Sequence, residues 1–244
     1  MNERPLTRAR GWGAVVCALL VAGCAHNSPY EPSDPLEPVN RAVYSFNLTA
    51  DRYVLRPVAV QYDKFVPRPV KTGISNFFDN LFYPRVIVGD LLQGKLVQTA
   101  RDTGRLLINT TYGIGGFLDP ATMVGLKKNN EDFGQTLGRW GFGEGWYLML
   151  PLLGPTTNRD LVGRIGDNWT DPLHYTDSLS FVEHTGLVGV DIIGKRARLL
   201  DYDSVLEQQF DPYVFVRTAY LQRRLDLVYD GDPPLELLEP PVPE

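Results

Sequence analysis

Cys24 is the residue whose surroundings specify a reaction. It closes the run Val21-Ala22-Gly23-Cys24. There small side chains let a peptidase reach the backbone, and a thiol stands where diacylglycerol is attached, the pattern of a bacterial lipobox. Ahead of it Arg4, Arg8 and Arg10 face the single acid Glu3, and Gly11 to Val21 is apolar throughout. These are the n-region and h-region of a signal peptide, and the apolar run is shorter than the roughly 20 residues a spanning helix needs. Residues 1–23 are therefore expected to be removed and Cys24 to be acylated. Residues 24–33, polar and holding Pro29 and Pro32, would form a lipidated tether. Two or three acyl chains, at about 0.8 kcal/mol per buried CH₂, anchor a protein stably where one chain would not.

Other chemistries find little support. Cys17 leaves with the signal and Cys24 is consumed by the lipid, so no disulfide is expected. His26, His174 and His184 have no metal-ligand spacing, and His174 and His184 read as ordinary loop and helix-surface residues. No Gly-x-Ser-x-Gly elbow supports a hydrolase. The runs Gly113-Ile114-Gly115-Gly116 and Gly141-Phe142-Gly143-Glu144-Gly145 match neither phosphate-cradling pattern and read as tight turns. Asp90, Asp102, Asp132 and Asp160 each lie near a basic residue and read as helix caps or surface ion pairs. No metal, cofactor or catalytic group is expected. Removing residues 1–23 leaves 21 basic against 28 acidic residues, a surface unsuited to nucleic acid.

Two segments combine aromatic residues with glycine or asparagine, Asn76 to Tyr83 and Phe133 to Tyr147, and Arg85 and Arg139 are interleaved with them. Such rings favour a boundary between apolar and wet surroundings. Asn76, Asn80, Arg85 and Arg139 are candidates to meet a phosphate, which favours guanidinium and amide donors.

The elements that would position them are helices. Asp34-Pro35-Leu36-Glu37 reads as an N-cap, a first-turn proline and a capping-box acid. Leu36, Val39, Val43, Phe46, Ala50 and Tyr53 then follow at helical spacing. Pro57, Pro67, Pro69 and Pro84 predict corners between short helices. Val70, Ile74, Phe77, Phe78 and Leu81 make one helical face, Val86 to Leu92 another, and a longer helix is predicted from about Leu91 to Asn109. Asp119-Pro120 predicts a further helix start, and Glu131 to Trp140 a short helix. Trp146 to Leu153, the most apolar stretch after the signal, suits an interface or a core. Thr157 to Asp167, Ser180 to Leu199 and Tyr202 to Tyr229, broken near Asp211-Pro212, complete a mainly α single domain over 34–229. Residues 230–244, with five acids, five prolines and no base, predict a disordered or extended tail. Neither an internal repeat nor a clear alternating strand pattern is visible.

Taken in order, several blocks resemble the MlaA/VacJ lipoproteins. They begin with Asp34-Pro35-Leu36-Glu37-Pro38-Val39-Asn40-Arg41, Phe46-Asn47 and Leu55-Arg56-Pro57-Val58-Ala59. Ser75-Asn76-Phe77-Phe78-Asp79-Asn80-Leu81, Asp90-Leu91-Leu92-Gln93-Gly94-Lys95 and Asn109-Thr110-Thr111-Tyr112-Gly113-Ile114-Gly115-Gly116 continue the series. Glu131-Asp132-Phe133-Gly134-Gln135-Thr136-Leu137-Gly138 and Leu150-Pro151-Leu152-Leu153-Gly154-Pro155 end it. The likeness covers about Asp34 to Asp171 and departs from the family at Gly89 and Trp146. It implies a helical ring in the periplasmic leaflet of the outer membrane, with a polar-lined passage for phospholipid head groups. Ala25 after the cysteine, where Asp is absent, resembles the sorting rule for that membrane. The expected function is removal of phospholipids mislocalised in the outer leaflet and their transfer to a soluble periplasmic lipid-carrier protein. Trimeric outer-membrane porins would be further partners. A non-transporting structural lipoprotein that bridges envelope partners is the alternative expectation.

Overall fold

The structure is a computed structural model and describes residues 34–175 and 180–237. The expected signal peptide, Cys24 and the tether lie outside the described residues. In chain order the helices are α1 (Glu37–Ala50), a π-turn (Asp51–Leu55), α2 (Arg56–Phe65), α3 (Arg68–Leu81), α4 (Pro84–Leu92), α5 (Leu96–Thr111), α6 (Pro120–Met123) and α7 (Phe133–Arg139). Two short strands, β1 (Tyr147–Leu150) and β2 (Gly154–Thr157), precede α8 (Asn158–Asn168), α9 (Phe181–Arg198), α10 (Asp203–Glu207) and α11 (Pro212–Val228). The fold is mainly α, as expected.

Proline acts as predicted at most corners. Val66 turns extended before Pro67, and Pro69 and Pro84 sit in the first turns of α3 and α4. Pro57 does not make a corner. Its ring would clash with the carbonyl four residues back and it has no N–H to give. The helix instead widens to a π-turn over Asp51–Leu55 and continues into α2.

Four other expectations are corrected. Asp34 does not cap α1: Leu36 holds the cap position without a side-chain bond, and Asp34 is wholly buried in a polar network. The stretch Trp146 to Leu153 supplies Tyr147 and Met149 to the core, as expected, but as a strand where none was expected, Tyr147 pairing with Thr157 and Leu150 with Gly154 in an antiparallel hairpin. Gly94 at φ 75° ends a turn that separates α4 from α5, so no single helix runs from Leu91. The tail is not extended at its start: Asp230 pairs with Lys95 at 2.5 Å, and Leu235–Leu237 forms a 3₁₀ turn.

The helices pack into a closed circuit. α2 lies on α9, α9 on α3, α3 on α5, α5 on α4 and α4 on α7. α7 packs on α8 and α11, α11 on β2, β2 on β1, and β1 on α1, which runs back into α2. The join between the two ends of the described chain is polar. Asp34 accepts hydrogen bonds from Asn40 Nδ2 (2.7 Å), the Tyr213 hydroxyl (2.5 Å) and Arg217 Nη1 (3.0 Å). Tyr147, Met149 and Tyr213 form the apolar cluster beside it.

The amphipathic helices face the wrong way for a protein surrounded by water. On α1 Val39 and Phe46 of the predicted apolar face are exposed and Val43 packs on the core, while Asn40 is buried and holds both the Tyr147 carbonyl and the Met149 N–H. On α5 Leu96, Val97 and Leu107 are exposed while Asp102, Arg105 and Asn109 are buried. α8 repeats this, with Val162 and Ile165 outside and Asp160 inside. Water would penalise so much exposed apolar area, whereas hydrocarbon would not. No helix among the described residues is long and apolar enough to cross a membrane.

Candidate functional site

A hollow lies where α3 and α9 face each other. α3 starts at Pro67 without a side-chain cap and carries no acid in its first turn, only Arg68 and Lys71. Polar Thr72, Ser75 and Asn76 and apolar Ile74 and Phe78 follow along it and line one cavity. α9 begins with a full capping box between Ser180 and Glu183. It ends in Lys195, Arg196 and Arg198, cations suited to the negative end of a helix. Arg196 is fixed by Asp51 (2.6 Å) and Asp203 (2.8 Å), which anchors this end of α9 to the π-turn and α10.

Between them lies a cavity of about 400 Å³, with Arg68, Lys71, Ser75, Asn76 and Arg198 in its wall. Ile74, Phe78 and Val190 are shared with a second cavity of about 470 Å³, whose remaining wall is Phe77, Phe117, Glu183, Gly186 and Leu187. Gly73 lets Phe117 close that wall, for a Cβ at residue 73 would stand 2.3 Å from the Phe117 ring. A polar chamber thus opens into an apolar one. Phe78 and Asp191 also line a third cavity of about 300 Å³ with Arg85, Lys128 and Lys195. Phe82 and Arg85 link this to a fourth, about 230 Å³, walled by Arg164, Asp167 and Asn168. Shared lining residues join the four into a string.

Cations and acids both line it, and most of the lysines are paired. Lys71 pairs with Asp63, Lys195 with Asp191 at 2.5 Å and Lys128 with Asp79 at 2.6 Å. Arg68, Arg85 and Arg198 make no ion pair among the described residues; Arg198 donates to Ser75 Oγ at 2.9 Å. Arg85 Nε is buried without a hydrogen-bond partner. Facing the fourth cavity, the Asp167 carboxyl is pushed up to about 6 by burial, against the lowering effect of the Phe133 N–H and with Asp132 adding to the rise.

The structure distributes the four sequence candidates unevenly. Asn76 lines the first cavity and donates to the Phe117 carbonyl at 3.3 Å. Arg85 lines the third and fourth. Asn80 is buried and lines none of these four: it donates to Thr110 Oγ1 at 3.0 Å and lies against Gly116, whose φ of 92° and lack of Cβ allow the approach. Arg139 is exposed in the last turn of α7. Arg68, Lys71, Ser75 and Arg198 were missed. Ser75 and Arg198 lie 123 residues apart and only folding joins them; the acid-free first turn of α3 was the available signal for Arg68 and Lys71.

The aspartates are also corrected. Asp132 does cap α7, and Arg224 holds it at 2.6 Å; its carboxyl sits at about 2 because the Arg224 guanidinium outweighs burial. Asp90, Asp102 and Asp160 are buried rather than on the surface. Asp160 takes Arg224 and the Tyr220 hydroxyl. Asp102 accepts from Tyr83 at 2.6 Å, and Asn129 Nδ2 bridges Asp90 and Asp102. His174 and His184 are exposed, as read. No group of three or more metal-ligand side chains occurs among the described residues. The arrangement suits binding and passage: cations and amides for a phosphate, and an apolar chamber for a hydrocarbon chain.

Comparison with known proteins agrees with this geometry. A family model described as MlaA lipoprotein matches residues 32–226. The chain is 40% identical over 218 residues to the intermembrane phospholipid transport system lipoprotein MlaA of Escherichia coli (strain K12), covering 87% of this chain and 85% of that protein. The protein of the same description from Haemophilus influenzae is 33% identical over 233 residues, covering 89% and 90%. A solved structure described as "Structural basis for maintenance of bacterial outer membrane lipid asymmetry" superposes with a TM-score of 0.72. It has 40% sequence identity and covers 82% of this chain and all of that one.

Proposed function

The chain belongs to the MlaA lipoprotein family, and we propose that it is an outer-membrane lipoprotein that removes phospholipids from the outer leaflet and so maintains lipid asymmetry. The observation that carries this reading is the inversion of the helices. A closed circuit that turns apolar residues outward and buries polar ones, with Arg68, Lys71 and Arg198 in the wall of its first cavity, is a body that hydrocarbon solvates outside and a phosphate head group solvates within. Its backbone groups are satisfied by its own helices, as immersion in lipid demands.

In this reading acyl chains on Cys24 tether the ring on the periplasmic side, and residues 24–33 give it reach. The lipid passes by binding alone: head group along the string of cavities, chains against the apolar chamber, with no bond made or broken. Asn76 and Arg85 line the head-group path, Asn80 holds the turn at Gly116 that shapes it, and Arg139 stands at the exposed end of α7. A soluble periplasmic carrier receives the lipid, and trimeric porins hold the ring in the membrane. The acidic segment from Asp230 onward is separate in composition from the ring.

The test is deletion of the gene, with outer-leaflet phospholipid measured in intact cells by its accessibility to added phospholipase. Accessible phospholipid should rise and return to normal with the wild-type chain but not with a Cys24→Ala form. An unchanged level after deletion would refute the function, and release of lysophospholipid by the purified protein would refute passage without chemistry.

A further inference from the structure

The charges around the first cavity go beyond recognition of a phosphate. Its wall carries three cations, Arg68, Lys71 and Arg198, and two carboxylates, Asp63 and Asp191. Both carboxylates are already taken, Asp63 by Lys71 and Asp191 by Lys195. Arg68 and Arg198 are left with no carboxylate partner among the described residues. An amine on the ligand would therefore meet no free acid in this wall and would face two guanidinium groups. Hydroxyl groups fare better: Thr72, Ser75 and Asn76 line the same wall, and the Asn76 carbonyl oxygen and the Ser75 and Thr72 hydroxyls can bond to a polyol.

Resting on the passage proposed above, we propose that Arg68 and Arg198 make this chamber a selective station for phospholipids of net negative charge. The preferred ligand is a phosphodiester bearing an uncharged polyol, as in phosphatidylglycerol, over one bearing an amine, as in phosphatidylethanolamine. The two arginines come from facing helices, Arg68 from the first turn of α3 and Arg198 from the last turn of α9. The phosphate sits between them, and one acyl chain continues past Ile74 and Val190 into the apolar chamber. Both arginines are on the exposed rim, so water and salt weaken the effect. A preference of roughly threefold to tenfold is expected at low ionic strength, falling as salt is added.

The full-length chain, solubilised in detergent, is incubated with mixed micelles holding phosphatidylglycerol and phosphatidylethanolamine in equal amounts, and the bound lipid is quantified by mass spectrometry. Wild type should retain mostly phosphatidylglycerol. Arg68→Ala/Arg198→Ala should bind the two equally, Arg68→Lys/Arg198→Lys should keep the preference, and Arg68→Glu/Arg198→Glu should reverse it. Arg223→Ala, at an exposed pair with Asp226 on the distant α11, is the control and should change nothing. Equal retention by wild type, or a preference that survives in the Ala and Glu pairs, overturns the inference while the transport reading stands. No phospholipid bound by any form overturns the transport reading itself. A parallel arm adds inorganic phosphate at matched ionic strength: displacement of the anionic lipid by phosphate alone would mark a site for free anion and also overturn the inference.

Discussion

Replacing Asp34 by Asn tests how the ring is closed. Asp34 is wholly buried, and it joins the start of the described chain to α11 through Tyr213 and Arg217, 179 and 183 residues away. Arg217 is itself only 4% exposed, so the substitution takes one carboxylate away from a buried cation. Losing one partner of a buried pair costs about 3–5 kcal/mol. Glu37 still stands 3.6 Å from Arg217 Nη1, which places Asp34→Asn at the lower end, about 3 kcal/mol. For a domain of this length that is a fall in melting temperature of roughly 6–12 °C. Asp34→Asn/Arg217→Met removes both charges and should recover most of the loss, since a buried ion pair replaced by apolar groups is often neutral. Thermal unfolding of the detergent-solubilised protein, followed by circular dichroism, measures both. An Asp34→Asn variant that melts with wild type, or a double variant whose losses simply add, would refute the reasoning.

Other perturbations follow the same logic. Asp90 is fully buried, with Oδ2 unpartnered, and its carboxyl is pushed up to about 8, by burial first and then by Asp102. A raised carboxylate stabilises the fold while it holds its proton, so its contribution is complete below about pH 4 and lost as pH rises through about 8. Asp90→Asn should flatten the decline in melting temperature between about pH 4 and pH 8; an identical decline in both proteins would contradict this. At Gly163 a Cβ would stand 2.4 Å from the Gly134 nitrogen, backbone that cannot swing aside. Gly163→Ala should therefore destabilise the α7–α8 crossing by about 2 kcal/mol, read as a lowered midpoint in thermal melts. Ile114 holds φ at 55° while 74% exposed, a strained place for a β-branched side chain unless the side chain itself is wanted outside. In the unlipidated Cys24→Ala form, Ile114→Gly should weaken flotation with phospholipid vesicles by about tenfold. Unchanged flotation would detach Ile114 from the membrane.

The helical character and most helix limits were legible because proline and capping residues act within a few residues of themselves. Asp119 caps α6 and Ser180 with Glu183 caps α9, as local rules require. The direction in which those helices face was not legible. Periodicity at Val39, Phe46, Leu96 and Leu107 marks an apolar stripe but does not say whether protein or lipid will cover it. The buried aspartates were misread for a related reason. Asp34, Asp102 and Asp160 find their partners far along the chain, in Arg217, Tyr83 with Asn129, and Tyr220 with Arg224, so their neighbours in sequence carried no hint of burial. The hairpin Tyr147–Thr157 escaped because its two four-residue strands are too short to show alternation, and only their pairing distinguishes them from a broken helix. At the site, Asn76 and Arg85 could be picked from composition, whereas Arg68, Ser75 and Arg198 become one wall only when α3 and α9 meet.

The central claim is that phospholipid moves through the inside of the ring, and blocking the ring tests it most directly. Val190 lines both the polar and the apolar chamber. A Val190→Trp chain, verified by fractionation to be lipidated and in the outer membrane, is expressed in cells lacking the native gene. Phospholipase-accessible phospholipid on intact cells should then match that of the deletion. Full restoration of the wild-type level by the plugged ring would contradict the account.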